Sequence, residues 1–314
     1  MKNQVGLVIF FGLLSGLIQA QSFKILPLGV HGGLEENNLS AYLVGNKNSS
    51  QYIAMDAGTL NAGLQKCAHK YFKKEPIDVI QNNITAYFIS HPHLDHLAGL
   101  VQNSPSDTKK TIYGLGFTIE AFEKHYFSWD TWANFGDIGE KPILKKYHLQ
   151  TMQIGIPVTD SSTGLIVAAY PLSHSNPGKS SAFLIENQQH DYLLYLGDTG
   201  ADSIEKHDNL KQLWQVVIPL IKQHVLSGIM IEVSYPNSQP DKSLFGHLTP
   251  KLLNSELSVL ANMGGTENLK NLPIIITHIK PDGNNASIIK KELEKENPFQ
   301  VKWIFPKQGK MIEL

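Results

Sequence analysis

The chain holds a single cysteine, Cys67, so no internal disulfide can staple it and its stability has to come from packing. Neither sign of charge prevails. Its 27 basic and 28 acidic side chains give a formal net charge of −1, which removes the electrostatic footprint that a long DNA or RNA partner requires. A small-molecule substrate is expected instead. Repeats, low-complexity tracts and linker-like stretches are also missing, so residues 21–314 read as one domain. One long apolar run stands out, residues 5–18, with Lys2 before it and Ala20 ahead of Gln21 and Ser22. That pattern reads as a signal peptide over residues 1–20, cleaved after Ala20. The run is broken by Gly6, Gly12, Ser15 and Gly16 and is short for a bilayer, and no cysteine follows it to carry a lipid. The mature chain is expected to be periplasmic or secreted, without a stable membrane anchor.

What is present is ample core, 42% of residues being hydrophobic, in runs whose order is informative. Residues 23–30, 41–44 and 52–56 read as antiparallel strands separated by polar and glycine turns, and residues 60–73 as a helix begun by Thr59. The second half repeats the scheme: a strand meander over 165–196, a helix at 210–224, a strand at 228–233, a helix at 250–263 and a strand closing on His278. Sheet, helix, sheet, helix predicts an α/β fold, a four-layer αββα sandwich of two mixed or antiparallel sheets flanked by helices.

The densest chemistry lies in Ser90-His91-Pro92-His93-Leu94-Asp95-His96-Leu97-Ala98-Gly99. Residues 86–89 before it have strand character, while Leu97, Leu100 and Val101 resume at helical spacing, so the polar residues sit on the connecting loop. Alternate positions of an extended segment point the same way, which lets His91 and His93 chelate one ion. Asp95 and His96 fall where the chain turns into the helix and can reach a second. Three imidazoles within six positions have no ordinary packing purpose, and imidazole with carboxylate suits zinc, or manganese and iron, better than calcium or magnesium.

This stretch resembles the metallo-β-lactamase superfamily signature H-x-H-x-D-H. The resemblance implies further ligands at distant strand ends, and the chain offers them in order: His174 after residues 165–170, Asp198 after the run ending at Gly197, and His278 after Ile274-Ile275-Ile276-Thr277. By resemblance, His91, His93 and His174 hold one divalent ion, Asp95, His96 and His278 the other, and Asp198 bridges the two. Within the superfamily, His91 to Val101 followed by Ser104-Pro105, Gly246-His247-Leu248-Thr249-Pro250 and Thr277-His278-Ile279-Lys280-Pro281 is similar to the class II cyclic-nucleotide phosphodiesterases, with Gln102 standing where that pattern has an aliphatic residue.

The implied reaction is hydrolysis of cyclic AMP, cyclic GMP or both to nucleoside 5′-monophosphates. A water shared by two metals would be the nucleophile, and the metals would neutralise the phosphoryl oxygens. The catalytic set implied is His247, Glu232 and Asp95. His247, at a helix start fixed by Thr249 and Pro250, would protonate the leaving ribose oxygen, and Glu232 would orient and charge it; the alternatives are a capping histidine and a surface carboxylate. Lys280 either pairs with phosphate or faces solvent. The aromatic segment 117–132, with Phe122, Tyr126, Phe127, Trp129 and Trp132, could stack a purine, form the core of a helical cap or make a homodimer contact. Residues 31–38 read as a polar loop bordering the pocket. Other reactions on the same fold, on a cyclic dinucleotide or a lactone, stay open, as does a non-catalytic metal- or nucleotide-binding role.

Overall fold

Short apolar runs bounded by turn residues pair into strands, and the structure, a computed structural model, describes residues 22–314. The expected signal peptide lies outside the described residues. Among them, no helix is long and apolar enough to cross a membrane. Strands β1 (Phe23–Gly29), β2 (Ala41–Asn46), β3 (Tyr52–Met55), β4 (Ile84–Phe88), β5 (Lys110–Gly114) and β6 (Tyr147–Thr151) build the first sheet. The second comprises β7 (Val158–Thr159), β8 (Ile166–Ser173), β9 (Lys179–Glu186), β10 (Tyr192–Leu196), β11 (Leu226–Glu232), β12 (Pro273–Thr277) and β13 (Lys302–Ile304). A short β14 (Ile312–Glu313) returns to pair with β1, so the spatial orders are β14-β1-β2-β3-β4-β5-β6 and β13-β12-β11-β10-β9-β8-β7. Each sheet is antiparallel in one half (β1 to β3, β8 to β10) and parallel in the other (β3 to β6, β10 to β13).

Alternation along the strands sorts the apolar side chains into three layers. Ile274 and Ile276 face Trp214, Leu257 and Leu260 under the helices Asn209–Lys222 and Pro250–Gly264, while Ile275 turns to the opposite sheet among Phe88, Phe183 and Tyr195. Tyr87 does the same on the outer face of the first sheet, beside Leu97 and Leu100. Each buried Ile or Phe contributes about 1.5–3 kcal/mol, and the layer between the sheets holds Phe88 edge-on to Phe183 at 5.7 Å. The expected αββα sandwich is what forms.

One local reading needs correcting. Residues 60–73 are two short helices, Asn61–Gln65 and Ala68–Tyr71, with Cys67 off the helical path at φ −142°. The Thr59 hydroxyl does not cap them, because it accepts from Leu39 N and donates to Glu36 O. Of the roles open to the aromatic segment 117–132, core packing is the one its buried rings take: Phe122 and Phe127 are fully buried against the outer face of the first sheet, and Phe127 stacks on Tyr147 of β6 at 5.8 Å. Its Tyr126 hydroxyl donates to Pro92 O at 2.5 Å, on the loop that carries His91 and His93.

Candidate metal centre

Strands β3, β4, β8, β10, β11 and β12 all end at one edge of the sandwich, so the polar residues that follow them converge there. Pairing fixes their heights. Met55 lies opposite Phe88, which brings Asp56 beside Ser90, and Glu232 lies opposite Thr277, which brings it beside His278. After β4 the chain stays extended to His93, the N-cap of the helix Leu94–Asn103 with φ −72° and ψ 148°, and Asp95 and His96 occupy that helix's first turn.

Donor atoms of His91, His93, His174 and Asp198 lie within 4.8 Å of one another, and so do those of Asp95, His96 and His278. Asp198 faces both groups. Its Oδ1 is 3.3 Å from His96 Nε2, and its Oδ2 is 3.2 Å from His278 Nε2, 3.7 Å from His91 Nε2 and 3.9 Å from His174 Nε2. All seven residues expected as ligands are thus brought together, five of them buried and His93 exposed at the mouth. His247 joins them in a third grouping with Asp198 and His278.

The donor set fits divalent cations on a physical ground: His91 Nε2, His96 Nε2 and Asp198 Oδ1 are buried without a hydrogen-bond partner, a costly arrangement that a cation would relieve. The far side of each ring is held. His96 Nδ1 donates to Asp56 Oδ2 at 2.7 Å, His174 Nδ1 to Gly246 O at 2.9 Å, and His278 Nδ1 meets Ser234 Oγ at 3.0 Å, leaving Nε2 of each turned to the centre. Asp95 Oδ2 accepts from Gly33 N at 2.9 Å, which ties the loop 31–38 to the site as expected. Gly32 passes so close over His278 that a Cβ there would stand 2.1 Å from the ring.

Charge states follow from these neighbours. Burial, with His96 alongside, depresses the His91 pKa far below its usual range, and burial takes His174 down to about 4, so both are neutral and ready to ligate. His96 behaves oppositely, because Asp198, Asp56 and Asp95 outweigh the burial that disfavours its charge and raise its pKa. A cation must displace that proton, which weakens metal uptake as pH falls.

Glu232 is fully buried, not a surface carboxylate. Its Oε1 accepts from His247 Nδ1 at 2.7 Å and from Thr199 N at 3.0 Å, and its Oε2 accepts from Ser234 Oγ at 2.6 Å. One carboxylate therefore links His247 to the serine that holds His278. Burial disfavours a charge on His247, but Glu232 and Asp198 outweigh it and raise its pKa. The expected helix start is present, with Thr249 Oγ1 accepting from Leu252 N and Pro250 in the first turn. Sequence reasoning missed Asp56 and Ser234. Asp56 carried the same mark that drew attention to Asp198, a carboxylate directly after a buried strand.

Above the centre lies a bowl of about 350 Å³ whose wall includes His93, His174, Asp198, His247, Phe245 and Lys280. The fold is that of the metallo-β-lactamase group: the metallo-β-lactamase fold protein YhfI of Bacillus subtilis superposes with a TM-score of 0.61 at 18% identity, over 93% of this chain and 99% of its own. Unliganded yeast PDE1 superposes with a TM-score of 0.81 at 25% identity, over 94% of this chain and 100% of its own. Residues 73–301 match the family of class II cAMP phosphodiesterases. A 3′,5′-cyclic-nucleotide phosphodiesterase of Aliivibrio fischeri is 42% identical over 310 residues, 94% of each chain. The chain belongs to the class II cAMP phosphodiesterase family.

Proposed function

We propose that the chain hydrolyses 3′,5′-cyclic nucleotides, cyclic AMP, cyclic GMP or both, to nucleoside 5′-monophosphates. The observation that carries this reading is the buried His247–Glu232 pair beside two clusters of metal-competent donors on one bowl. His91, His93 and His174 would hold one ion and Asp95, His96 and His278 the other, with Asp198 between them. Imidazole and carboxylate without thiolate favour zinc, with manganese or iron(II) as alternatives. When bound, such ions supply Lewis acidity, lowering the pKa of a water and drawing charge from the phosphoryl oxygens.

The chain's own groups do the rest. All 27 basic side chains are lysines, so no arginine fork is available for the phosphate, and Lys280 is the lysine on the bowl wall. It balances the anionic diester as a point charge. His247 keeps Nδ1 on Glu232, which fixes the ring and favours its protonated form, and presents Nε2 to the ribose 3′ oxygen that must leave with a proton. The test is product analysis with purified protein and a panel of cyclic AMP, cyclic GMP, a cyclic dinucleotide and a lactone. Release of 5′-AMP or 5′-GMP, abolished by a strong chelator and restored by zinc or manganese, is expected. Turnover of the lactone or the dinucleotide alone would replace the reading. The acid role has its own check: His247→Ala keeps its metals and loses activity on cyclic nucleotides by a factor of about 100 to 10,000, with a much smaller loss on bis(p-nitrophenyl) phosphate, whose leaving group needs no proton. Equal losses on both substrates would assign His247 to substrate positioning.

A further inference from the structure

The bowl wall is polar almost throughout: imidazoles, carboxylates, a serine, a glycine and one ammonium, with Phe245 as its only apolar side chain. That ring is 64% exposed, unlike the buried Leu244 before it and the buried His247 after Gly246. Its backbone is unusual as well. His247 N donates to Leu244 O at 3.2 Å, closing a turn whose two central residues, Phe245 and Gly246, have φ of +52° and +75°.

Two successive positive φ values mark a type I′ turn, whose first central position favours Asn, Asp or Gly, and a bulky side chain there is strained. Gly246 meets the rule. A Cβ on it would lie 2.2 Å from Ser175 N, and its carbonyl holds His174 Nδ1. Phe245 breaks the rule and gains no burial in exchange, so packing does not account for it. Nor is the ring on a loose loop, because the turn is pinned at Leu244, at the Gly246 carbonyl and at His247.

We propose that Phe245 is the platform on which the nucleobase of the substrate stacks, a specificity-determining residue two positions from the group that faces the ribose 3′ oxygen. This rests on the cyclic-nucleotide reading above. Such a substrate has a charged half, matched by the imidazoles, carboxylates and Lys280, and a flat aromatic half, which on this wall meets one apolar face. Stacking reads no hydrogen-bond pattern, since every base has a π-face. The platform therefore serves cyclic AMP and cyclic GMP alike and selects for a base as such.

The turn supplies the variant that separates function from folding. Phe245→Asn puts in a residue the turn prefers, so the protein should fold with unchanged or raised thermal stability. Its KM for cyclic AMP and cyclic GMP, and the inhibition constant of 5′-AMP, should each rise about 10-fold, with the inhibition constant of ribose 5-phosphate unchanged. Phe245→Trp keeps a ring and should keep wild-type values. A Phe245→Asn protein with wild-type KM values overturns the platform. So does a parallel rise for 5′-AMP and ribose 5-phosphate, which would mean that the turn has moved and carried the bowl with it. A wild-type protein that hydrolyses no cyclic nucleotide removes the underlying reading, and the platform with it.

Discussion

Asp56 offers the sharpest test of how the centre is held. Four donors converge on its two oxygens: Ser90 N at 2.7 Å on Oδ1, and Ser90 Oγ at 2.8 Å, His96 Nδ1 at 2.7 Å and Tyr195 Oη at 2.6 Å on Oδ2. Asp56→Asn keeps the volume but turns one acceptor into a donor. If the amide nitrogen takes the place of Oδ2, His96 Nδ1 must become the acceptor, and its proton moves to Nε2, the atom that faces Asp198. A cation then competes with that proton. If the nitrogen takes the place of Oδ1, it opposes the Ser90 N–H, and a buried amide goes unpaired at the start of the His91 loop. Either outcome loosens the centre without touching a ligand, and outer partners of metal-bound imidazoles are worth about 10- to 100-fold in metal affinity. Zinc affinity measured by competition with a chromogenic chelator should fall by that range. Tyr195→Phe is the control: it removes one donor and leaves the His96 tautomer alone, so it should cost about 1 kcal/mol of stability at unchanged zinc affinity. An Asp56→Asn protein that folds and binds zinc like the wild type would refute the argument.

Asp198→Asn removes the charge shared by both donor groups and should lower metal content and activity together while the fold, followed by circular dichroism, stays; full turnover would show that Asp198 is a turn residue. Glu256, buried in the helix Pro250–Gly264 with Oε1 accepting from Asp202 N at 3.0 Å, is pushed up from 4.5 to about 7 by burial and then by the Asp202 charge. The folded chain holds a proton that the unfolded chain has released, so stability falls as pH rises from 4.5 through 7 and stays lower above. Glu256→Gln removes this penalty. In urea denaturation at fixed saturating metal, its advantage over the wild type should widen by about 2–3 kcal/mol from pH 5 to pH 8, and a constant gap would place the charge elsewhere.

The site was legible because its chemistry demands polar residues where the fold demands apolar ones. His91, His174, Asp198 and His278 each follow a buried strand, and a histidine or aspartate there is visible against its surroundings. The positioning partners were not, since their meaning lies in distant pairing: Asp56 meets Ser90, His96 and Tyr195, none of them its neighbour in the chain. The layer order was legible from the long runs. Edge strands β7, β13 and β14 have two or three residues, too few to show a period, and their place is set by pairing with β8, β12 and β1. The helix read over 60–73 is interrupted at Cys67, whose φ of −142° leaves the helical region, a backbone break that the spacing of apolar residues does not register.

The donors come from both sides of the sandwich. Four follow β4 in the first sheet, and the other three follow β8, β10 and β12 in the second. An ion held between them is a crosslink across the seam, closing a chemical loop between segments far apart in the chain. Without it, the seam keeps a buried patch of imidazole and carboxylate that opposes closure of the two sheets. Free energy of metal binding then becomes free energy of folding, growing with the logarithm of free metal concentration. With ions in the proposed sites, scarcity of metal would weaken the fold itself as well as the turnover.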